Sequence, residues 1–310
     1  RLVGSEMCIR DSLQCLLHEK PFAGVNGSGK HNNWSISTDE GENLIDPGKH
    51  PETNLQFQFF LAAVLAAVDN NAELLRLSAS SAGNDHRLGA NEAPPAIISI
   101  FMGEELQGVL DALVSGDTYT SQSMTFKIGV DALPDFPKDS TDRNRTSPFA
   151  FTGNRFEFRM VGSSENIACP NHMLNTIVAS ELSDIADKME KVPADQFKDE
   201  LKKLLAEIVK EHKRVIFNGD GYSDAWVEEA AERGLPNYKT TADCVPHYAD
   251  EKNVKLFEKF GIFSKAEIEA RVEILLESYS KTINIEALTM IDMAKKKYIP
   301  ACLTYSKELA

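Results

Sequence analysis

An α+β fold is predicted by three features of this 310-residue sequence. One segment alternates strictly between aromatic and charged residues, glycine-rich turns punctuate the first half, and apolar residues recur at helical spacing in the second. The alternation lies in Arg155-Phe156-Glu157-Phe158-Arg159-Met160. Period-two geometry sends Phe156, Phe158 and Met160 to one face of a strand and Arg155, Glu157 and Arg159 to the other. The helical spacing runs through Met173-Leu174, Ile177-Val178, Leu182 and Ile185, and again through Phe197, Leu201, Leu204-Leu205 and Ile208.

The elements follow in order. Arg1 to Ser12 does not begin with Met and resembles translated adapter sequence, so it is set aside and the native sequence is expected from about Leu13. Residues 13–170 read as the α+β part and residues 171–310 as an all-helical part. In the first part, Asn26-Gly27-Ser28-Gly29-Lys30-His31-Asn32-Asn33-Trp34-Ser35 is an amide-rich glycine turn leading into a strand. A helix is expected over about Glu52–Leu77, where the apolar run Phe57 to Val68 is too short to cross a bilayer and reads as buried. A second is expected over about Pro95–Val114, because a proline pair suits a helix start. The stretch from Leu133 to Pro148 is dense in turn formers and reads as loop. Ser264 and Glu267 have the spacing of a capping box and open a long helical region that includes Leu288 and Ile291.

At 42% hydrophobic residues, the chain can bury a substantial core. A net charge of −14 argues against a general nucleic-acid or anionic-membrane surface, so any anionic substrate must meet a local arginine cluster. Five scattered cysteines, Cys8, Cys15, Cys169, Cys244 and Cys302, form neither a disulfide framework nor a zinc ribbon, which points to a reducing, cytoplasmic setting. The Asn-x-Ser/Thr triplets at Asn26, Asn33 and Asn144 carry meaning only in a secreted protein.

The chemistry concentrates at the turn and the charged strand. Gly24-x4-Gly29-Lys30 has the outline of a phosphate-binding P-loop, but His31 stands where a Ser or Thr is needed and no helix start follows. The glycines are read instead as letting backbone approach a ligand, with His31 at the mouth of a strand. Imidazole is a good Mn²⁺ ligand and can join carboxylates at a Mg²⁺ site; the alternative is a turn histidine bonded to backbone. A charged face on an interior strand is costly unless paired or neutralised by ligand and metal. Arg145, Arg155 and Arg159 with Glu157 suit phosphoryl transfer, because guanidinium recognises phosphate in a planar, bidentate way. The bland alternative is an internal ion-pair network of these arginines with Glu157 and Asp142. Arg87-Leu88-Gly89-Ala90-Asn91-Glu92-Ala93-Pro94-Pro95 places an Arg and a Glu on a proline-stopped loop with the build of a lid.

These segments resemble glutamine synthetase, specifically its long-chain type III branch, over essentially all of Leu13 to Ala310. The resemblance rests on the 26–35 turn, Ala82-Gly83-Asn84-Asp85-His86 with the 87–95 loop, Asn144-Arg145-Thr146-Ser147-Pro148-Phe149 and Phe156-Glu157-Phe158-Arg159, in the family's order. It implies an antiparallel sheet with flanking helices, incomplete at its amino end, followed by the branch's helical carboxy-terminal extension. It also implies ATP-dependent joining of L-glutamate and ammonia through γ-glutamyl phosphate. By motif position, His31 and Glu157 would hold Mg²⁺ or Mn²⁺. Asn33, Ser35, Arg145 and Arg155 would meet ATP, and Asn26, Gly27, Arg87 and Arg159 would bind glutamate. Glu92, Arg145 and Arg159 would act in catalysis, with Glu92 shielding the acyl phosphate and accepting an ammonium proton. Asn33 and Ala150 replace a second His and another Arg of shorter relatives, and the 87–92 loop is one residue shorter. The resemblance further implies a large ring homo-oligomer with sites at subunit interfaces. An upstream segment absent from this sequence would supply the other metal carboxylates, so the chain alone would be inactive. The rival readings are a non-catalytic subunit of the same fold and a related ATP-dependent carboxylate-amine ligase.

Overall fold

The computed structural model describes residues 18–117, 119, 125–126, 136–137 and 144–310. The expectations for residues 1–12, for Cys8 and Cys15, for Asp142 and for most of the 133–148 loop lie outside the described residues. The fold is mixed α+β, with a small sheet and many helices. The sheet has four strands in the order β1 (Gly29–Trp34), β6 (Phe156–Gly162), β5 (Phe149–Phe151) and β2 (Ile100–Phe101). A separate two-stranded pair joins β3 (Thr125–Phe126) to β4 (Phe136–Pro137).

The sheet is not wholly antiparallel. β1 and β5 run antiparallel to the central β6, but β2 pairs with β5 in parallel. The connection between β2 and β5 contains a full helix and so can return the chain in the same direction, which a tight hairpin cannot. That helix, Gly103–Ser115, also departs from expectation, because the 95–102 stretch that precedes it is extended. Ile97, Ile98 and Ile100 are buried, Ile97 bridges Asn237 and Ile100 bridges Ile216, so β-branched residues here find partners a helix could not offer. The helix begins only where Asn218 Oδ1 accepts from the amides of Met102 and Gly103.

The first expected helix is broken in two. α1 (Leu55–Asn70) starts at Asn54, whose Oδ1 accepts from Phe57 N at 3.0 Å, and it buries Phe57, Leu61 to Val68 and Asp69. It stops at Asn71, whose amide folds back onto Ala67 O, and α2 (Ala72–Leu77) follows. α3 (Ala82–Arg87) is capped by Ser81 and ends on Arg87. The helix Gly103–Ser115 is α4. In the second half, α5 (Ala168–Met189), α6 (Phe197–His212), α7 (Asp224–Glu232), α8 (Thr241–Cys244), α9 (Glu251–Lys259), α10 (Lys265–Met293) and α11 (Ile299–Leu309) follow in turn. The capping box of Ser264 and Glu267 is formed as its spacing predicts.

One apolar cluster runs from Trp34 through α1, the sheet and α5 to Ile268, so the two halves share a core. Buried polar pairs stitch the same boundary. Asp69 of α1 receives His212 Nδ1 at 2.8 Å and Arg214 Nε at 2.9 Å. The fully buried Arg76 of α2 holds Asp85 at 2.9 Å, and Asp85 also accepts from Thr241 N and Oγ1. Beyond Ile268 no residue of the long α10 is fully buried, although Val272 still packs against the core; Ile285, Leu288, Met290 and Ile291 are exposed. Burial pushes the Cys169 thiol up to about 11 and that of Cys244 up to about 12, so both are inert thiols at neutral pH. No helix among the described residues is long and apolar enough to cross a membrane.

Candidate active site

The site is built on the open face of the sheet. In register, Trp34 lies opposite Phe156 and Asn32 opposite Phe158, and these residues form the inner face. Asn32 and Trp34 dock that face on α5 through Asn171 at 2.8 Å and Asn175 at 2.9 Å. Phe149 stacks on Phe156 with centroids 4.7 Å apart behind them. Alternation then puts His31, Asn33, Glu157 and Arg159 on the other face, with Ala150 beside Glu157. The pairing of β1 with β6 shifts by one residue between Lys30 and Asn32, so His31 sits at a bulge. Bulges re-aim side chains, and here the imidazole turns onto the neighbouring strand.

His31 Nδ1 lies 2.6 Å from Glu157 Oε1, and Arg159 Nη2 donates to Glu157 Oε2 at 3.0 Å. Burial pushes the Glu157 carboxyl up. The charge and hydrogen bond of Arg159, joined by those of His31, outweigh it and hold the group below the ordinary carboxylate value of 4.5. Glu157 is therefore an anion at neutral pH. Arg159 is buried and its Nη1 donates to Asn144 O at 2.6 Å, which ties the charged strand to the turn bearing Arg145.

The expected lid faces this line. Arg145 Nη1 pairs with Glu92 Oε1 at 2.9 Å, both side chains being exposed. Asn91 and Glu92 both adopt positive φ, 53° and 71°. Asn tolerates that region, whereas for Glu it is strained by on the order of 1–3 kcal/mol and persists only where surroundings hold it. Gly27 N donates to Asn91 O at 3.2 Å, which anchors the lid to the glycine turn.

Arg87 lies beneath the turn, not in the open. Its Nη1 donates to Met160 O at 3.0 Å and Asn84 Oδ1 at 3.2 Å, its Nη2 to Arg159 O at 3.0 Å, and its Nε is buried without a partner among the described residues. Burial lowers its pKa, partly offset by Glu165 and Glu19. Both turn glycines fit against it: a Cβ on Gly29 would fall 2.1 Å from Arg87 Nη2, and one on Gly27 2.6 Å from its Cγ. Because two main-chain carbonyls fix the guanidinium, Gly29→Ala is expected to destabilise the protein by about 1–3 kcal/mol through overpacking. A thermal melt beside wild type checks this, and an unchanged midpoint would show that the guanidinium can yield.

Asn26, Asn33 and Ser35 are exposed, and Arg155 is exposed just before β6 with no ion pair among the described residues. Lys30 lies within β1, its ammonium on Ser163 O and Glu165 O, which agrees with rejecting the P-loop. Sequence reasoning missed the loop Asn218–Tyr222, which reaches the site from the helical half. Asn144 Nδ2 donates to Gly219 O, and Gly221 N donates to Thr146 Oγ1 at 2.8 Å. The available signal was a turn, Asn-Gly-Asp-Gly-Tyr, interrupting a helical pattern.

An imidazole, a carboxylate and a buried guanidinium on one sheet face, with the exposed Arg145 and the Glu92 carboxylate on neighbouring loops, place groups of the kind that meet cations beside groups of the kind that meet oxyanions. A family profile described as glutamine synthetase C-terminal domain matches residues 200–310. The chain is 52% identical over 300 residues to a glutamine synthetase of Butyrivibrio fibrisolvens, covering 96% of this chain and 42% of the relative. It is 50% identical over 303 residues to the type-3 glutamine synthetase of Dictyostelium discoideum, covering 97% and 41%. A solved structure described as apo GmaS without ligand superposes with a TM-score of 0.47 at 15% identity, over 91% of this chain and 48% of that one. The chain belongs to the glutamine synthetase family, and it spans about two fifths of the length of the curated relatives it matches.

Proposed function

We propose that this chain forms part of a glutamine synthetase that joins L-glutamate and ammonia at the expense of ATP, through γ-glutamyl phosphate. The observation that carries the reading is the His31–Glu157–Arg159 line facing the Arg145–Glu92 pair. The donors fit a divalent ion in type, since an ionised carboxylate and an imidazole suit Mn²⁺ and the carboxylate suits Mg²⁺. They do not complete a coordination sphere, and no group of three such donors occurs among the described residues. The remaining ligands would come from nucleotide, water and further protein groups, so the isolated chain is expected to be inactive. When bound, the metal would screen the ATP phosphates.

In this reading the chain's own residues position and neutralise. Arg145 and Arg155 meet phosphate oxygens, and Arg159 stabilises charge growing on the transferred phosphoryl group while fixing Glu157. Asn33 and Ser35 lie along the nucleotide, and Asn26 and Gly27 present polar backbone and amide to glutamate. Arg87 takes a glutamate carboxylate only if its guanidinium turns from its main-chain carbonyls, since its described bonds point away from the opening. Glu92 closes over the acyl phosphate and accepts a proton from ammonium. Residues 13–170 make up the catalytic part and 171–310 the helical extension, in a cytoplasmic ring of identical subunits.

The test is formation of γ-glutamyl hydroxamate by the full-length protein from L-glutamate, hydroxylamine, ATP and Mg²⁺ or Mn²⁺. Product that depends on all four supports the reading. A protein that assembles but makes none would favour a non-catalytic subunit, and preference for another carboxylic acid in competition with glutamate would favour a related ligase.

A further inference from the structure

A single hydroxyl ties the helical half to the arginines of the site. After α6 and the short turn Lys213–Val215, residues 216–223 run past β2 and lead into α7. Ile216 bridges Ile100 of β2, and Phe217 N donates to Ile100 O at 2.9 Å. Phe217 stacks on the buried Trp226 of α7 with centroids 3.7 Å apart, and Asn218 Oδ1 accepts from Met102 N and Gly103 N at the start of α4, each at 3.1 Å. The base of the loop is therefore braced by both halves, and its tip, residues 219–221, meets the turn at residues 144–147.

At that meeting three hydrogen bonds close a ring. Gly221 N donates to Thr146 Oγ1 at 2.8 Å, the Thr146 hydroxyl donates to Asn144 Oδ1 at 2.7 Å, and Asn144 Nδ2 donates to Gly219 O. Half-buried Thr146 thus uses its oxygen as acceptor on one side and its proton on the other, a pair of roles that an alkyl side chain cannot fill. Bonds chained in this way strengthen one another, so loss of the shared member weakens the whole ring. The approach is close, since a Cβ on Gly221 would lie 3.0 Å from Thr146 O and 3.1 Å from its Oγ1. The ring bears on both guanidiniums. Asn144 O accepts from Arg159 Nη1 at 2.6 Å, and Arg145, whose Nη1 pairs with Glu92 at 2.9 Å, stands between Asn144 and Thr146 in the chain.

We propose that Thr146 is a positioning residue through which the helical half sets the placement of Arg145 and Arg159 for phosphoryl transfer. The inference rests on the reading of those arginines as the groups that neutralise the transferred phosphoryl group, and Thr146 acts through them. A guanidinium displaced by a fraction of an ångström still attracts phosphate in the ground state but loses stabilisation where charge develops, so rate suffers more than affinity. The helical extension thereby contributes to the chemical step, beyond its part in packing.

The experiment compares Thr146→Val, Thr146→Ser and Gly221→Ala with wild type in the full-length protein. Valine keeps the shape and removes the hydroxyl, serine keeps the hydroxyl, and the methyl added at Gly221 wedges the loop off the turn from the helical side. Amide hydrogen exchange of the peptide covering residues 218–223 is expected to quicken about threefold to tenfold in Thr146→Val, the effect of one net hydrogen bond on local opening, and to keep the wild-type rate in Thr146→Ser. The kcat for glutamine formation is expected to fall about threefold to tenfold in Thr146→Val and in Gly221→Ala, with KM for ATP and glutamate unchanged, and to recover in Thr146→Ser. The variant carrying both Thr146→Val and Gly221→Ala should lose no more than the worse single one, because both break one ring. Unchanged exchange in Thr146→Val overturns the tie whatever the activity. Faster exchange with wild-type kcat, a kcat loss that serine does not recover, or additive losses in the double variant overturns the positioning role. A wild-type protein that makes no glutamine overturns the proposed reaction and with it the role in phosphoryl transfer, while the exchange result still decides the tie.

Discussion

Arg76→Ala is expected to lower stability by about 3–5 kcal/mol, the range for breaking a buried ion pair by removing one partner. The side chain is 1% exposed and serves five acceptors: Asp85, Ser80 and the carbonyls of Ala79, Tyr238 and Lys239. Truncation leaves the Asp85 carboxylate with its Thr241 donors but without a countercharge, and it strips donors from three main-chain carbonyls at the boundary between the halves. Packing is lost as well, since the stem fills core volume. The thermal midpoint should fall by roughly 5–8 °C, given the usual entropy of unfolding for a chain of this size. Arg76→Met, which keeps the volume, should recover part of the loss. A midpoint equal to wild type in both variants would mean that the Asp85 cluster does not hold the two halves together.

Glu157→Gln is expected to reduce glutamine formation by at least about a hundredfold, more than removal of an outer-shell partner typically does. The amide keeps the shape and still accepts from Arg159, so the fold should survive with a small change in midpoint. What goes is the negative charge that meets His31 and Arg159, and with it the anionic donor that a divalent ion would require. The signature is a raised requirement for Mg²⁺ or Mn²⁺ together with the lost rate. Wild-type turnover at ordinary metal concentration would remove Glu157 from the metal site, while a collapsed midpoint would show that the carboxylate matters mainly as the partner of buried Arg159.

Much of this was legible from local pattern. The division of Phe156, Phe158 and Met160 from Glu157 and Arg159 follows from period two, and the structure places them on opposite faces of the central strand. The capping box at Ser264 and the buried run Phe57 to Val68 are likewise local. Three readings fell short for identifiable reasons. The helix start that the proline pair suggests over residues 95–102 is overridden by Asn237, Ile216 and Asn218, which are more than 100 positions away in the chain. The break at Asn71 depends on a side chain competing with the helix ladder. Arg155 shares the alternation of its neighbours but lies one residue outside the strand, so it is exposed where Arg159 is buried.

By itself the sequence determined the fold class, the two faces of the charged strand, the residue types able to meet a cation and an oxyanion, and the family. Those properties depend on spacing along a few residues, where geometry is set by strand and helix periods. The tertiary structure alone decided that a bulge turns His31 onto Glu157, that Arg87 points into main-chain carbonyls beneath two glycines, and that the Asn218–Gly221 loop of the helical half is tied to the turn bearing Arg145. Such contacts join residues far apart in the chain, and no local period encodes them; they arise when a shared core brings distant segments to one place.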